Sequence, residues 1–188
     1  MEGVNEGMKI FELPSEHGHL RGAIWDNVEN PKGTIQIAHG LVEYHDRYDE
    51  FAKFLNEHGY IVYCNDHLGH GLHVKKGELK GYFADENGYE AVVDQLAEMN
   101  SVIRKTHPSL NHFFIGHSLG TALGLSFLKR TISFEAVILS APFTNHDVIL
   151  FLFGILVWPE YKFHGKRAVS MEMEKHTSLK HNSFFKPN

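Results

Sequence analysis

The sequence predicts an α/β domain with a mainly parallel sheet and helices on both of its faces. Three observations support this: short apolar runs alternate with amphipathic segments, Gly and Pro residues separate them, and 188 residues suit one domain. The candidate parallel strands are, in chain order, Thr34–Ala38, Ile61–Asn65, Phe113–His117 and Ala136–Ala141. Strands that alternate with helices at this spacing form βαβ units, whose sheets are covered on both faces.

An N-terminal β-hairpin is predicted ahead of the first parallel strand. The segments Lys9–Leu13 and His19–Asp26 flank the turn residues Ser15–Gly18, and the second segment alternates as a strand does. The run Asn30–Gly33 then breaks the chain before the parallel strands begin.

Three helices are predicted between and after the parallel strands. The first has apolar side chains at i, i+3, i+4 and i+7 from Tyr48 and ends at Gly59. The second carries acids early, from Glu90, and bases late, as the helix dipole favours, and Pro108 closes it. The third, Leu119–Arg130, is apolar or small on nearly every side, so we expect it to be buried.

The composition excludes several classes of protein. The chain has 18 Lys and Arg against 23 Asp and Glu, a formal net charge of −5 without a basic block, so we expect no nucleic-acid binding. A single cysteine, Cys64, excludes an internal disulfide framework, and its apolar surroundings predict a buried, unreactive thiol. Met1–Glu6 lacks the features of a secretion signal, and the longest apolar run, Val148–Trp158, is shorter than the roughly 20 residues of a membrane-spanning helix. We therefore expect a cytoplasmic protein without a transmembrane segment.

The motif Gly116-His117-Ser118-Leu119-Gly120 carries the predicted chemistry. It directly follows an apolar strand and opens a buried helix, which is the setting of a nucleophile elbow. A serine on such a sharp turn takes a strained backbone conformation and presents its hydroxyl above the sheet edge. Side chains two residues away would clash, which accounts for Gly116 and Gly120. Ser118 is the predicted catalytic nucleophile and its neighbours in the motif support it; an ordinary glycine-flanked turn is the alternative.

Two backbone N–H groups are predicted to form an oxyanion hole. That of Leu119 lies at a helix N-terminus, where N–H groups are free and the helix dipole is positive. The second donor is expected in the loop after the first parallel strand, Ala38-His39-Gly40-Leu41. There Gly40 would let the backbone turn sharply, so that the N–H of Leu41 faces the substrate oxygen. A plain turn that ends the strand is the alternative interpretation of His39 and Gly40.

A third motif, Asp66-His67-Leu68-Gly69-His70-Gly71, follows the second parallel strand. His67 and His70 could be metal ligands, but no third ligand stands at a recognised spacing. The preferred interpretation is a hydrogen-bonded loop that fixes the floor of the active site. No metal or other cofactor is therefore predicted.

The order and spacing of these three motifs resemble those of the α/β-hydrolases of the monoacylglycerol lipase, lysophospholipase and serine aminopeptidase group. The resemblance runs from about Lys9 to Pro142. It implies the α/β-hydrolase fold, Ser118 as the nucleophile and the N–H groups of Leu41 and Leu119 as oxyanion donors. It also implies a lid inserted after the fourth parallel strand.

The resemblance implies a triad acid and base that the sequence does not supply at the usual places. In this fold the chain order is Ser, then Asp or Glu, then His. Only 70 residues follow Ser118, and no late strands are visible among them. We therefore expect that the last strands are missing and that the chain alone is nearly inactive. The alternative is an in-chain triad with Asp147 as the acid. Its candidate bases are His146, His164, His176 and His181.

The predicted domains are a hydrolase core over residues 1–142 and a lid segment with a polar tail over residues 143–188. The apolar segment Val148–Trp158 is expected to pack on the core as a lid helix, or to line an acyl-chain tunnel and contact a membrane surface peripherally. Without the last strands, Ala136–Ala141 would be an exposed sheet edge, which invites a homodimer or strand exchange.

The sequence thus predicts a serine hydrolase that acts on lipid-like carboxylic esters, of monoacylglycerol or lysophospholipid type, through an acyl-enzyme. One alternative is a non-catalytic module that binds a ligand or a partner protein. Another is a peptide or amide hydrolase of the aminopeptidase kind. The latter would need a carboxylate cluster to hold the amino group of its substrate, and no such cluster stands out in the sequence.

Overall fold

A six-stranded mixed sheet organises the part of the chain that carries the candidate site. The computed structural model describes residues 7–75, 80–130 and 133–142, together with residues 158, 159, 161–163 and 165. Residues up to Phe143 belong to one compact unit and Thr144–Asn188 to a second, of which only those few residues are described. The predicted domain boundary and the predicted lid therefore stay predictions.

The strands lie where the sequence predicts them. They are β1 (Met8–Ser15), β2 (Gly18–Trp25), β3 (Gly33–Ala38), β4 (Tyr60–Asn65), β5 (Asn111–His117) and β6 (Ala136–Ser140). Their order in the sheet is β1-β2-β4-β3-β5-β6. The last four strands of the chain pair in parallel, and the β1–β2 hairpin joins them through antiparallel pairing of β2 with β4. The predicted α/β fold with a mainly parallel sheet and an N-terminal hairpin is confirmed.

Helices cover both faces of the sheet. They are α1 (Asp49–Glu57), α2 (Gly88–Thr106) and α3 (Leu119–Leu128). Ile35 and Ile37 of β3 pack in one cluster with Ala52 of α1, whereas Ala38 packs in another with Leu96 of α2 and Leu123 of α3. Because successive residues of a strand point to opposite faces, this alternation buries both sides of β3.

The helix ends follow local backbone chemistry. Gly59 has a φ of +92° and its N–H donates to Asn56 O, so α1 ends near the predicted glycine. The helix α3 ends at Leu128, two residues before the predicted end, and the N–H of Arg130 donates to Phe127 O in the following turn.

Cys64 lies inside the sheet as a free, fully buried cysteine. Burial raises the pKa of its thiol well above the ordinary value, so the reactive thiolate is disfavoured. The structure therefore agrees with an unreactive thiol at this position.

None of the helices in the described part of the chain has the length and apolar character that crossing a membrane requires.

β6 is the last strand of the sheet in the described residues, and its side chains are unusually exposed. Ile138 is 58% exposed and Val137 is 36% exposed, whereas every residue of β3 is buried. A parallel strand ordinarily has both faces covered. β6 therefore presents an apolar edge.

The candidate site lies where β3, β4 and β5 end. Ala38 of β3 pairs with Gly116 of β5, and His117 of β5 pairs with Ser140 of β6. Because the carboxyl ends of parallel strands meet at one edge of the sheet, the loops that follow them are neighbours. Two 3₁₀ turns lie in these loops and were not predicted, because three or four residues show no period. They span His45–Tyr48 and Gly71–His73.

Candidate active site

Ser118 occupies the turn between β5 and α3 in a strained backbone conformation. Its φ of 50° and ψ of −113° lie in a region that residues other than glycine rarely adopt. The N–H of Ser118 donates to Ser140 O at 3.0 Å, so the end of β6 supports the turn. Ser118 is half-buried, and no side chain among the described residues hydrogen-bonds to its hydroxyl. The hydroxyl therefore has no hydrogen-bond partner in this part of the chain.

Gly116 and Gly120 permit the close packing of this turn. A Cβ on Gly120 would lie 2.0 Å from the carbonyl oxygen of Ala38, and a Cβ on Gly116 would lie 2.6 Å from that of Gly120. Both neighbours are backbone atoms, which cannot move aside as a flexible side chain can. Glycine is therefore required at both positions, and α3 begins directly against the end of β3.

The loop after β3 packs against Ser118. A Cβ on Gly40 would lie 3.4 Å from Cβ of Ser118 and 2.9 Å from Oε1 of Glu43. The sequence analysis explained Gly40 by a sharp backbone turn, but Gly40 is not among the residues with positive φ. Its small size is what the packing uses, because Ser118 and Glu43 approach it closely.

The two predicted oxyanion donors have no hydrogen-bond partner among the described residues. Within the turns and loops of the described residues, neither the N–H of Leu41 nor that of Leu119 donates a hydrogen bond. Leu119 is the first residue of α3, where the helix dipole is positive. Leu41 follows Gly40, which lies against Ser118. This arrangement is compatible with an oxyanion hole, and the role of the two N–H groups stays a prediction.

His39, His67 and His70 form a cluster behind this loop. The ring centroids of His39 and His67 are 3.9 Å apart, and those of His39 and His70 are 5.3 Å apart. His39 Nδ1–H donates to Gly40 O at 2.7 Å, and His39 Nε2 accepts the N–H of His67 at 2.9 Å. In return, His67 Nε2–H donates to His39 O at 3.0 Å. These bonds join the loops after β3 and β4.

The two most buried rings of this cluster are neutral. Burial lowers the pKa of His39 to about 3, although its hydrogen bond to Gly40 opposes the change, and burial lowers the pKa of His67 well below its ordinary value. A neutral His39 fits the geometry, because its Nε2 must be unprotonated to accept from His67. Across residues 7–75, 80–130 and 133–142, no group of three or more His, Cys, Asp or Glu side chains is arranged to hold a metal ion.

Asp66 connects the loop after β4 to the loop after β3, a role that the sequence analysis did not assign to this side chain individually. Its Oδ1 accepts the N–H of His45 at 2.9 Å, its Oδ2 lies 2.9 Å from His45 Nδ1, and Oδ2 also accepts the N–H of Leu72 at 2.8 Å. Burial of the His45 ring opposes its protonation, but the bond and charge of Asp66 outweigh burial and raise the pKa of His45. A Cβ on Gly71 would lie 2.1 Å from Oδ2, so glycine is needed there. The sequence feature that could have indicated this role is the position of the Asp66 carboxylate directly after a buried strand.

Glu43 is the second residue that the sequence analysis missed. This residue is 8% exposed, and its Oε1 accepts the N–H of Gly40 at 2.5 Å and the hydroxyl of Tyr48 at 2.6 Å. Its Oε2 lies 2.9 Å from Nε of Arg47. Burial and the neighbouring carboxylate raise the pKa of Tyr48, so the hydroxyl stays a donor. The sequence feature that could have indicated this role is the spacing, because an acid three residues after Gly40 can reach back to a backbone N–H, as in a capping box.

The predicted acid and base lie outside the described residues. Asp147 and His146 belong to this group, as do the other candidate bases. They are His164, His176 and His181. His117, the residue before Ser118, has its Nδ1 3.3 Å from Oγ of Ser140, so its ring lies beside the end of β6.

The chain matches the family model described as "Serine aminopeptidase, S33" over residues 29–185. It is 32% identical over 141 residues to a "Monoglyceride lipase homolog" of Monkeypox virus, a match that covers 74% of this chain and 48% of the relative. It is also 30% identical over 119 residues to the "Monoglyceride lipase" of Rattus norvegicus, covering 63% of this chain and 37% of the relative. The chain thus spans about half the length, or less, of these curated relatives.

Solved structures share the fold at low sequence identity. One is a soluble variant of monoglyceride lipase from Saccharomyces cerevisiae in complex with a substrate analog, with a TM-score of 0.66, 21% identity and coverage of 82% of this chain and 52% of that one. Another is a thermostable carboxyl esterase from Bacillus coagulans, with a TM-score of 0.66, 20% identity and coverage of 97% and 59%. Because the family model matches most of the chain and the fold agrees, this chain belongs to the serine aminopeptidase family of α/β-hydrolases.

Proposed function

We propose that this protein is a serine hydrolase that cleaves carboxylic esters of lipid-like substrates, of monoacylglycerol or lysophospholipid type. The observation that carries the proposal is the geometry of Ser118, which lies on a strained, half-buried turn between β5 and α3 against Gly40. Beside this turn, the N–H groups of Leu41 and Leu119 have no partner in the part of the chain that the structure describes, which adds to the proposal. Family membership and the monoglyceride lipase relatives support the same class of reaction.

The proposed reaction begins with attack of Ser118 Oγ on the ester carbonyl carbon, while a general base takes the hydroxyl proton. The carbonyl oxygen becomes an oxyanion, which the N–H groups of Leu41 and Leu119 stabilise; one such donor is typically worth on the order of 10²–10³ in rate. The ester C–O bond then breaks, and the alcohol leaves with the proton while the acyl group stays on Ser118. Water attacks this acyl-enzyme, releases the carboxylic acid and regenerates the serine.

The base and the acid that orients it are proposed to lie beyond the described residues, with Asp147 and His146 as the first candidates in this chain. No side chain in the described part of the chain bonds to the hydroxyl of Ser118. Loss of the base costs on the order of 10⁶ in turnover in a well-studied serine protease. If none of these candidates serves as the base, turnover by this chain should fall by a factor of that order.

An apolar rim on the loops beside Ser118 supports a lipid-like substrate. Four large apolar or aromatic side chains of these loops are at least 38% exposed. They are Leu41, Val42, Tyr44 and Leu72. The two loops touch, because a Cβ on Gly71 would lie 2.8 Å from Cβ of Tyr44 and His70 Nε2 hydrogen-bonds to Leu41 O. An acyl chain that covers this rim would gain about 25 cal/mol per Å² of apolar surface removed from water.

The same region argues against an aminopeptidase activity. Glu43 is the carboxylate that contacts Gly40 beside Ser118, and it is already bonded by a backbone N–H, a hydroxyl and a guanidinium. It is therefore not free to hold the ammonium group of a peptide substrate. We favour ester hydrolysis for this reason.

We also propose that the exposed edge strand β6 pairs with β6 of a second copy of this chain. The strand is apolar, and its Ile138 is 58% exposed at the end of the described sheet. Exposed apolar edges favour pairing with another strand. The predicted contact of Val148–Trp158 with a membrane surface lies largely outside the described residues and stays a prediction.

The proposal is tested with p-nitrophenyl esters of increasing acyl length and with the matching p-nitroanilides. We expect Ser118-dependent release of p-nitrophenol that increases with acyl length, and little cleavage of the anilides. The substitution Ser118→Ala should reduce release to background. The matched control is Ser126→Ala, because Ser126 lies on the face of α3 that bonds Tyr89; this substitution should not reduce the release of p-nitrophenol. Faster anilide cleavage would favour a peptide or amide hydrolase, and equal rates for all three proteins would contradict ester hydrolysis by this chain.

A further inference from the structure

Three of the four backbone polar groups of Gly40 and Leu41 are bonded to side chains. The N–H of Gly40 donates to Glu43 Oε1 at 2.5 Å, and Gly40 O accepts from His39 Nδ1–H at 2.7 Å. The carbonyl oxygen of Leu41 hydrogen-bonds to Nε2 of His70. The N–H of Leu41 is the one of these four groups that has no partner among the described residues. The loop is therefore held on both sides of the one group that the proposed oxyanion hole needs.

From this arrangement we propose that Glu43 is a positioning residue that orients the N–H of Leu41 toward the substrate oxygen. The inference rests on the proposed role of Ser118. In this proposal Glu43 acts through the backbone of Gly40, whose N–H it binds and whose missing side chain leaves room for both Glu43 and Ser118. A donor that is fixed before the reaction stabilises the oxyanion without any cost of reorganisation.

The attachment of Glu43 suits this task. A hydrogen bond from an N–H to a carboxylate is shorter and roughly twice as strong as one between neutral groups. The carboxylate is itself fixed by Tyr48 and Arg47, both of the 3₁₀ turn His45–Tyr48. Arg47 and the two other donors also offset its negative charge, which would otherwise oppose an oxyanion nearby.

Other side chains support the loop but do not replace Glu43. His70 binds the carbonyl oxygen of Leu41. His39 binds the carbonyl oxygen of Gly40, which shares one planar peptide group with the N–H of Leu41, so His39 holds this group from its other side. Glu43 alone among these side chains binds an N–H of the loop. Without Glu43, the buried N–H of Gly40 would lose its acceptor, and the loop could turn to find water or another carbonyl.

The first test is independent of activity and uses the amide resonance of Gly40 in the full chain. A short bond to a carboxylate should move this amide proton far downfield and slow its exchange with water. Glu43→Ala should shift the resonance upfield and speed the exchange, and Glu43→Gln should have a smaller effect because its amide oxygen still accepts. Glu50→Gln, which removes the same charge from the exposed start of α1, is the control and should leave Gly40 unchanged.

The second test is the rate at which a fluorophosphonate modifies Ser118, a reaction that also passes through a negatively charged oxygen. We expect Glu43→Ala to slow it by on the order of 10²-fold, as for the loss of one oxyanion donor. Glu43→Gln should recover part of the rate, and Glu50→Gln should keep all of it. Circular dichroism and urea unfolding establish that the variants are folded. Glu43→Gln, which keeps the shape of the side chain, serves if Glu43→Ala does not fold.

A Gly40 resonance that stays in place in the Glu43 variants, or a rate of modification equal to that of the unchanged protein, would overturn the inference. A complete lack of modification in the unchanged protein would contradict the proposed function instead. In that case the Gly40 resonance still decides whether Glu43 holds the loop.

Discussion

His39 shows how one buried side chain ties the candidate site to the stability of the protein. Its ring accepts one hydrogen bond and donates another, and it joins the loop after β3 to the loop after β4. Protonation would add a hydrogen to Nε2, which faces the N–H of His67, and would place a charge in a buried position. The neutral ring is therefore required for this connection.

We predict that the free energy of unfolding decreases in mild acid because of this ring. Burial lowers the pKa of His39 to about 3 in the folded chain, whereas the ordinary value is 6.5. Between these values the unfolded chain binds a proton that the folded chain does not. The contribution of His39 is constant above pH 6.5, and stability decreases below it by up to about 1.4 kcal/mol per pH unit. The lowered pKa of His67 acts in the same direction.

Urea unfolding at several pH values between about 7.5 and 5 measures this dependence. His39→Gln removes the titrating ring, so the decrease with acid should become shallower even though the variant is less stable throughout. His58→Gln, in an exposed position at the end of α1, is the control and should keep the original slope. An unchanged slope in His39→Gln would show that this ring does not carry the effect.

At the same scale, the sequence predicted some of the site residues and not others. Ser118 and its flanking glycines could be predicted because a strand, a motif and a helix follow one another locally. The role of Asp66 could not, because its bond to His45 depends on how loops from different strands meet. The partners of Glu43 lie in its own loop, and the only sequence signal for them was the spacing from Gly40 to Glu43. Gly40 was singled out for a sharp backbone turn, which stays a prediction; its close approach to Ser118 is a contact across the fold, and no local pattern reports it.

At the scale of elements, strand and helix positions could be predicted from apolar periodicity, whereas pairing could not. The hairpin β1–β2 was expected, but its antiparallel pairing with β4 joins residues such as Trp25 and Val62 that are far apart in sequence. A 3₁₀ turn directly precedes the helix α1, and it is too short for its apolar residues to show a period. These features place the loops of the site, so the fold was needed to recognise that Gly40, which Glu43 binds, lies against Ser118.

The exposed strand β6 leads to a prediction about self-association. We expect Ile138→Lys to weaken association at least tenfold, because a charged side chain on an edge strand opposes pairing with another strand. Ile10→Lys, at a 52% exposed position on β1 at the opposite end of the sheet, is the matched control and should leave association unchanged. Sedimentation equilibrium over a range of protein concentrations measures the effect. A monomer at every concentration, or equal weakening by both substitutions, would contradict pairing through β6.

At the scale of the whole molecule, the sheet brings three loops together around one serine. Each loop contributes a different part: the turn after β5 presents Ser118, the loop after β3 carries Leu41, and the loop after β4 supports it through His67 and His70. The described residues thus contain the proposed nucleophile and oxyanion donors. The proposed base and acid are assigned to residues beyond them.

The most direct measurement of the central claim is the mass of the chain after reaction with a fluorophosphonate. If the fold presents Ser118 as a nucleophile, the native chain gains one phosphonyl group, peptide mapping places it on Ser118, and Ser118→Ala gains none. The same chain unfolded in urea should also stay unmodified, because its serine has lost the oxyanion donors and the strained turn. Equal reaction of the native and unfolded chains, or an adduct that persists in Ser118→Ala, would contradict the account.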